Sequence, residues 1–157
     1  MDLCGLLQVE FKMSSNDLVI NHASVSYSGA SLAVEGAVSK AIAIGAPECI
    51  AVVNQAGELL AFACMDGAAT LALEPAIAKA KTAASLGMPT GALPQEFGAN
   101  LAAASAGAIV NLGGGLPIVF GGAVIGAIGV GSGTTEQDVA VAQAGREAVL
   151  AALGGAA

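Results

Sequence analysis

Residues 112–141 read LGGGLPIVFGGAVIGAIGVGSGTTEQDVAV, and this stretch predicts the central part of the fold. Two apolar runs, residues 116–120 and 123–130, flank the pair Gly121-Gly122. Because glycine reaches positive φ without a Cβ clash, a Gly-Gly pair between β-branched runs is typical of a β-hairpin with a two-residue turn. The stretch therefore predicts two neighbouring antiparallel strands.

The second of these strands leads through residues 131–133, Gly-Ser-Gly, into the start of a helix. Thr134 with Gln137 fits a capping box, and Thr135 with Asp138 is the alternative. Free N–H groups collect at a helix N-terminus, where a small anion can be accommodated. The turn is therefore a candidate ligand site. The competing interpretation is a tight turn that serves geometry alone.

The composition is poor in charge for a chain of 157 residues, with 55% hydrophobic and 11% charged residues. A chain of this length is expected to form one domain with its own core. Because few charges are available to cover its surface, part of the apolar surface is expected to lie between subunits. The net charge of −7 and the lack of a basic patch argue against nucleic acid or an anionic membrane surface as partner.

The three cysteines, Cys4, Cys49 and Cys64, are odd in number and show no CxxC spacing. A disulfide framework and a zinc or other metal site are therefore not expected, and a reducing cytoplasm is the predicted compartment. Residues 1–17 are predicted to form an N-terminal extension without the features of a signal peptide, in which Met13 is a possible alternative start. Residues 18–157 are predicted to form the single domain.

The segment between Glu96 and Glu136 carries no charge, so a transmembrane span has to be considered. Its internal glycines and Asn111 favour short strands over one continuous helix. The other elements are predicted as a strand at 18–26, a helix capped by Ser28 or Ser31 and ended by Gly45, strands at 50–53 and 58–65, helices at 75–86 and 94–105, a strand or extended lead-in at 108–112, and a final helix at 135–153.

The predicted order is β-α-β-β-α-α-β-β-β-α, in which hairpins dominate. The fold class expected from the residues is therefore α/β in the broad sense, or α+β, with a mainly antiparallel sheet flanked by helices.

Several separated motifs resemble the GlcG/HbpS family of haem-binding and haem-degrading-like proteins. They are the hairpin VVNQAGELLAF at 52–62 followed by MDGA at 65–68, KAKTA at 79–83, GGLPI at 114–118, GAIGV at 126–130 and Gln137-Asp138. The resemblance covers residues 31–153 and implies a profilin-like fold, a homo-oligomer that is often an octamer, and a small-molecule role. A domain associated with corrinoid adenosyltransferases is related to the same family.

This chain departs from the family pattern at two positions of the first hairpin. Asn54 stands where the family usually has Asp, and Cys64 stands where it usually has Arg. Each change removes one charge. An altered ligand and a ligand-free oligomer interface both remain open as explanations.

His22, the only histidine, is a candidate haem-iron ligand or general base, although a surface histidine is the simpler interpretation. Lys79 holds the family position, and its ammonium could bind a carboxylate or form a Schiff base unless it faces solvent. Lys81 lies about 200° around the helix from Lys79, so the two cannot face one pocket. Cys64 and Met65 are possible soft ligands for haem iron, or core residues.

Glu136 is a candidate general base, although the helix dipole alone explains an acid in a first turn. The predicted ligand-binding residues lie on the lysine helix, the GGLPI motif and the glycine turn. They are Lys79, Thr82, Gly114, Gly115, Ser132, Gly133, Thr134 and Thr135.

The resemblance and the apolar composition favour a protein that binds haem or a related tetrapyrrole without catalysis, with no other cofactor. The alternative is a small cofactor-free enzyme, an isomerase, hydratase or lyase acting on an organic acid or carbonyl compound. In that case Lys79 would orient the anion, and Glu136 or His22 would move a proton. A ligand-free accessory subunit is a third hypothesis.

Overall fold

The computed structural model describes residues 18–154, so the predicted extension at 1–17 and the last three residues lie outside the described part of the chain. The described elements are α1 (Tyr27–Ile44), β1 (Cys49–Asn54), β2 (Leu59–Cys64), α2 (Leu73–Leu86), α3 (Gln95–Ala104), β3 (Gly115–Phe120), β4 (Ala123–Gly131) and α4 (Thr135–Ala152).

The four strands form one sheet in the order β2-β1-β4-β3, and every neighbouring pair is antiparallel. This confirms the predicted fold class. The β3–β4 hairpin turns at Gly121 and Gly122, whose φ angles are 59° and 80°. Positive φ at both central residues is the conformation that the Gly-Gly pair predicted.

Each face of the sheet buries its own apolar cluster. Ile50, Val52 and Ile128 point to the side covered by α1 and α4, whereas Ala51 and Ala127 point to the side covered by α2. This alternation follows from the two-residue period of a strand. The small residues on the second side allow α2 to lie close to the sheet backbone.

The helix ends are fixed by local side-chain bonds. The Oγ of Ser26 accepts a hydrogen bond from the N–H of Gly29 at 3.2 Å, so α1 begins earlier than the predicted caps Ser28 and Ser31. Gly45 ends α1 with a φ of 66°, as predicted. Thr134 and Gln137 form the capping box of α4, which confirms the first of the two predicted pairings.

One predicted strand is wrong. Residues 18–26 form no strand; this segment is joined to the sheet by the N–H of Val25, which donates to the carbonyl of Ile125 at 2.7 Å, and Leu18, Val19 and Ile20 are exposed. Residues 108–112, predicted as a strand or an extended lead-in, join no sheet and lead into β3, held by hydrogen bonds to the side chains of Ser105 and Thr82. Alternating apolar residues form a strand only where a partner edge is free to pair with them.

The sequence interpretation, which argued against a disulfide framework, did not predict the pairing of Cys49 with Cys64. Cys49 and Cys64, which are opposite each other in the β1–β2 pair, are joined by a disulfide. The predicted reducing compartment rested on the cysteine pattern and loses that support.

The uncharged segment 96–136 contains α3, β3 and β4 rather than one continuous helix. Across residues 18–154, no helix combines the length and apolar character that crossing a bilayer requires.

Candidate functional site

Lys79 lies in the interior of the protein rather than in solvent. Its side chain is on the face of α2 that packs against the sheet, and the residue is only 5% exposed. The ammonium Nζ lies 2.6 Å from Oδ2 of Asp138 and donates a second bond to the carbonyl of Val130 at 2.8 Å. Lys79 therefore binds an internal carboxylate from α4.

Glu48 completes this buried cluster, and the sequence interpretation missed it. Its side chain is fully buried, and Oε2 accepts a bond from the N–H of Gly133 at 2.9 Å. The same N–H lies 3.1 Å from Oδ1 of Asp138. The other oxygen, Oε1, is buried and has no hydrogen-bond partner among the described residues. Burial, followed by the negative charge of Asp138, raises the pKa of Glu48 from 4.5 to about 7.

One feature of the sequence does indicate that Glu48 has a buried partner. It is the only charged residue between Lys40 and Glu58, directly before a run of apolar residues. Burial of a charged residue in such a run requires a partner, and here the partners come from distant parts of the chain.

The raised pKa of Glu48 predicts that its replacement by Gln stabilises the protein at high pH. The folded protein retains a proton that the unfolded chain releases between pH 4.5 and about 7, so the free energy of unfolding falls over this window. At pH 8 the Glu48→Gln variant should be more stable than the native chain by about 1–3 kcal/mol, because the neutral amide needs no charge partner. Urea unfolding at pH 5 and pH 8 measures the difference.

Glu35→Gln is the matched control, because Glu35 is an exposed acid on α1. The control should change stability by less than about 0.5 kcal/mol at both pH values. A Glu48→Gln variant that is less stable than the native chain at pH 8 would show that the Glu48 charge is compensated.

Two N–H donors at the glycine turn, those of Gly133 and Thr134, are already used within the protein. The N–H of Gly133 bonds the two carboxylates described above, and the N–H of Thr134 donates to Oε1 of Gln137 at 2.9 Å. Ser132 Oγ accepts a bond from the N–H of Ala69 at 2.8 Å. The carboxylate of Glu136 accepts from its own N–H and, more weakly, from Thr134, which lowers the pKa of Glu136. A ligand anion at this turn would compete with these internal acceptors.

The predicted glycines also pack against the cluster. A Cβ on Gly114 would lie 3.1 Å from Nζ of Lys79 and 2.7 Å from Cβ of Asp138. Gly115 donates to Oγ1 of Thr90 at 2.8 Å. The structure therefore brings Lys79, Gly114 and Gly133 together, with α4 and its Thr134 cap beginning beside them.

Thr82, Met65 and Cys64 make contacts other than those predicted for a ligand site. Thr82 is buried, and its Oγ1 accepts a bond from the N–H of Val110 at 3.0 Å, which ties the loop before β3 to α2. Met65 packs against the core on the α1/α4 side, and Cys64 is held in the disulfide.

His22 is exposed and precedes an apolar cleft between the start of α1 and the end of α4. The cleft has a volume of about 360 Å³. We call it the α1/α4 cleft; it is lined by six apolar residues, one glycine and three serines, namely Val25, Leu32, Ile125, Val149, Ala152, Leu153, Gly29, Ser24, Ser26 and Ser28.

The three predicted catalytic residues do not converge. His22 lies three residues before Val25, which bonds Ile125 near the start of β4, whereas Glu136 follows the end of the same strand. Six residues of strand between Ile125 and Gly131 span about 20 Å. Lys79 is buried beside Asp138. No acid–base pair is formed by these residues.

The family model described as "Haem degrading protein HbpS-like" matches residues 25–147. An uncharacterized 15.0 kDa protein in the dhaT–dhaS intergenic region of Citrobacter freundii is 33% identical over 126 residues, which cover 77% of this chain and 89% of that protein. The structure of Klebsiella pneumoniae protein ORFY aligns with a TM-score of 0.79 at 28% identity, over 88% of this chain and 97% of that one. The complex of PduOC with haem aligns with a TM-score of 0.74 at 26% identity, over 80% and 95%.

Proposed function

The chain belongs to the HbpS-like family, and from that membership we propose that it is a small protein that binds haem or a related tetrapyrrole. The haem complex of PduOC, which has a similar fold, supports the same ligand class. Haem when bound supplies an iron centre whose reactivity depends on its axial ligand and on the polarity of its pocket.

The α1/α4 cleft carries this proposal. Its apolar lining, which includes Leu32 and Val149, matches the face of a porphyrin, and its three serines could meet the polar edge. His22 lies two residues from Ser24 in the cleft wall, so its Cα is at most about 7 Å from that of Ser24. Neutral imidazole is a common axial ligand of haem iron. The residues of the cleft would hold haem, and His22 is the candidate ligand of its iron.

Titration with haemin should produce a saturable Soret shift with a dissociation constant in the micromolar range, about −8 kcal/mol. His22→Ala should change the position of the Soret band and weaken binding by at least about tenfold, because the iron loses its protein ligand. Ala152→Trp should weaken binding without changing the iron ligand, because the indole would occupy part of the α1/α4 cleft.

Ala151→Trp is the matched control, because Ala151 is the exposed neighbour of Ala152 on α4 and does not line the cleft. It should leave haemin binding unchanged. Absence of a Soret shift at tens of micromolar haemin, or equal binding by the native, His22→Ala and Ala152→Trp proteins, would contradict the proposal.

We also propose that the protein is a homo-oligomer of at least four chains. Leu18, Val19 and Ile20 precede α1 as three consecutive apolar side chains that are each at least 66% exposed. An apolar segment that residues 18–154 leave exposed in this way is typical of a subunit interface. Light scattering at micromolar concentration should give at least four times the chain mass of 15.0 kDa. A monomer mass would contradict this proposal.

A further inference from the structure

Lys81 points away from the buried cluster and lines a second cleft. It is exposed on α2, and Ser85, one turn later, lies on the same face. The cleft has a volume of about 370 Å³ and lies between α2, the β1–β2 turn and the loop after α3. We call it the Lys81 cleft; its lining residues are Gln55, Ala56, Gly57, Lys81, Ser85, Ala108 and Ile109.

The turn wall of the Lys81 cleft is fixed by Asn54. Its Oδ1 accepts bonds from the N–H groups of Ala56 and Glu58 at 3.0 and 2.9 Å. Its Nδ2 donates to Oε2 of Glu58 at 2.7 Å, so the carboxylate of Glu58 is held by the β1–β2 turn. Gly57 has a φ of 80°, and a Cβ there would lie 3.8 Å from Cγ of Lys81. The lysine stem therefore runs past this turn.

The opposite wall is also fixed. The N–H of Ile109 donates to Oγ of Ser105 at 3.0 Å, and the N–H of Val110 donates to Oγ1 of Thr82 at 3.0 Å. Two side chains thus hold the loop against α2 and α3. A cleft with two walls fixed by hydrogen bonds needs little ordering when a ligand binds.

The charges around Lys81 indicate which of its two neighbouring clefts can bind an anion. Its ammonium forms no ion pair with any residue in the range 18–154. The Lys81 cleft offers two polar residues beside the lysine, Gln55 and Ser85, and no acidic residue of the described part of the chain lines it. The other, smaller cleft of about 230 Å³ contains Glu74, whose carboxylate would repel an anion. Because the net charge of the chain is −7, general attraction of anions is not expected.

From this arrangement we propose that the Lys81 cleft binds a small organic carboxylate that carries a second oxygen, such as a hydroxyl or carbonyl group. Lys81 and Ser85 would bind the carboxylate, the amide of Gln55 would bind the second oxygen, and the carbon chain would pack on Ile109. The Lys81 cleft lies on the α2 side of the sheet, whereas the α1/α4 cleft lies on the other side. This binding site is therefore independent of the proposed haem site.

Pyruvate is a suitable probe, followed by the backbone amide resonances of the ¹⁵N-labelled full chain. Saturable shifts are expected at Gln55, Ser85 and Ile109, with a dissociation constant of about 1 mM or below. Lys81→Gln should weaken binding at least about tenfold, and Gln55→Ala should weaken pyruvate more than acetate, which lacks the second oxygen. Lys40→Gln, which removes a positive charge from α1, should leave pyruvate binding unchanged.

Three results would overturn this inference. They are the absence of saturable shifts up to about 50 mM pyruvate, equal binding by the Lys81→Gln variant, and an equal loss of binding in the Lys40→Gln control. Inorganic phosphate provides a further arm: phosphate that binds more tightly than pyruvate, with no effect of Gln55→Ala on either, would contradict the assignment to a carboxylate. None of these outcomes depends on whether haemin binds.

Discussion

Replacement of Lys79 by Met should lower the free energy of unfolding by about 3–5 kcal/mol, because it leaves buried carboxylates without their cation. Lys79 bonds Asp138 at 2.6 Å, and Glu48 lies fully buried beside them. Urea unfolding followed by circular dichroism measures the loss. This expectation differs from the sequence interpretation, in which the ammonium of Lys79 was expected to bind a ligand carboxylate.

Lys81→Met is the matched control for this experiment, because it makes the same chemical change two residues along the same helix. Lys81 is exposed, so the control should change the free energy of unfolding by less than about 0.5 kcal/mol. Equal effects of the two substitutions would show that Lys79 is not part of a buried ion pair.

Replacement of Gly129 by Ala should destabilise the protein by at least about 3 kcal/mol, or prevent folding, because its Cβ has no space. Gly129 lies in β4 and faces α2, where a Cβ would overlap the carbonyl oxygen of Ala76 and the amide nitrogen of Ala80. These are backbone atoms of a helix, so the overlap can be relieved only by moving α2 away from the sheet.

Gly131→Ala is the matched control, two residues along the same strand on the same face. A Cβ at Gly131 would have its nearest contact, the carbonyl oxygen of Ala72, at 3.4 Å, so the substitution should cost about 1 kcal/mol or less. Thermal unfolding of both variants measures the difference. Similar melting temperatures for the two variants would contradict the close packing of α2 on β4.

The parts of the fold that the sequence predicted correctly depend on local chemistry. Gly121 and Gly122 determine a turn through their own φ angles, and Thr134 with Gln137 begins α4 through bonds between residues three apart. A strand at residues 18–26 would instead need a partner strand to pair with, and no pattern within the segment shows whether such a partner is available. The prediction of a strand there therefore failed.

The candidate site was only partly predictable for the same reason. Helical geometry shows that Lys79 and Lys81 face different directions, but only the packing of α2 on the sheet decides which lysine is buried. Lys79 meets Asp138 across 59 positions of sequence, and Glu48 meets Gly133 across 85 positions. Contacts at such separations leave no local pattern, so the sequence shows Glu48 as an isolated charge before an apolar run but does not show its partners.

The proposed position of haem in the α1/α4 cleft is tested most directly by a crystal structure of the full chain grown with haemin. We expect haem between the start of α1 and the end of α4, with the imidazole of His22 bound to the iron and the ion pair of Lys79 with Asp138 unchanged. Haem bound at the glycine turn 131–133, or iron ligated by a residue other than His22, would contradict this assignment.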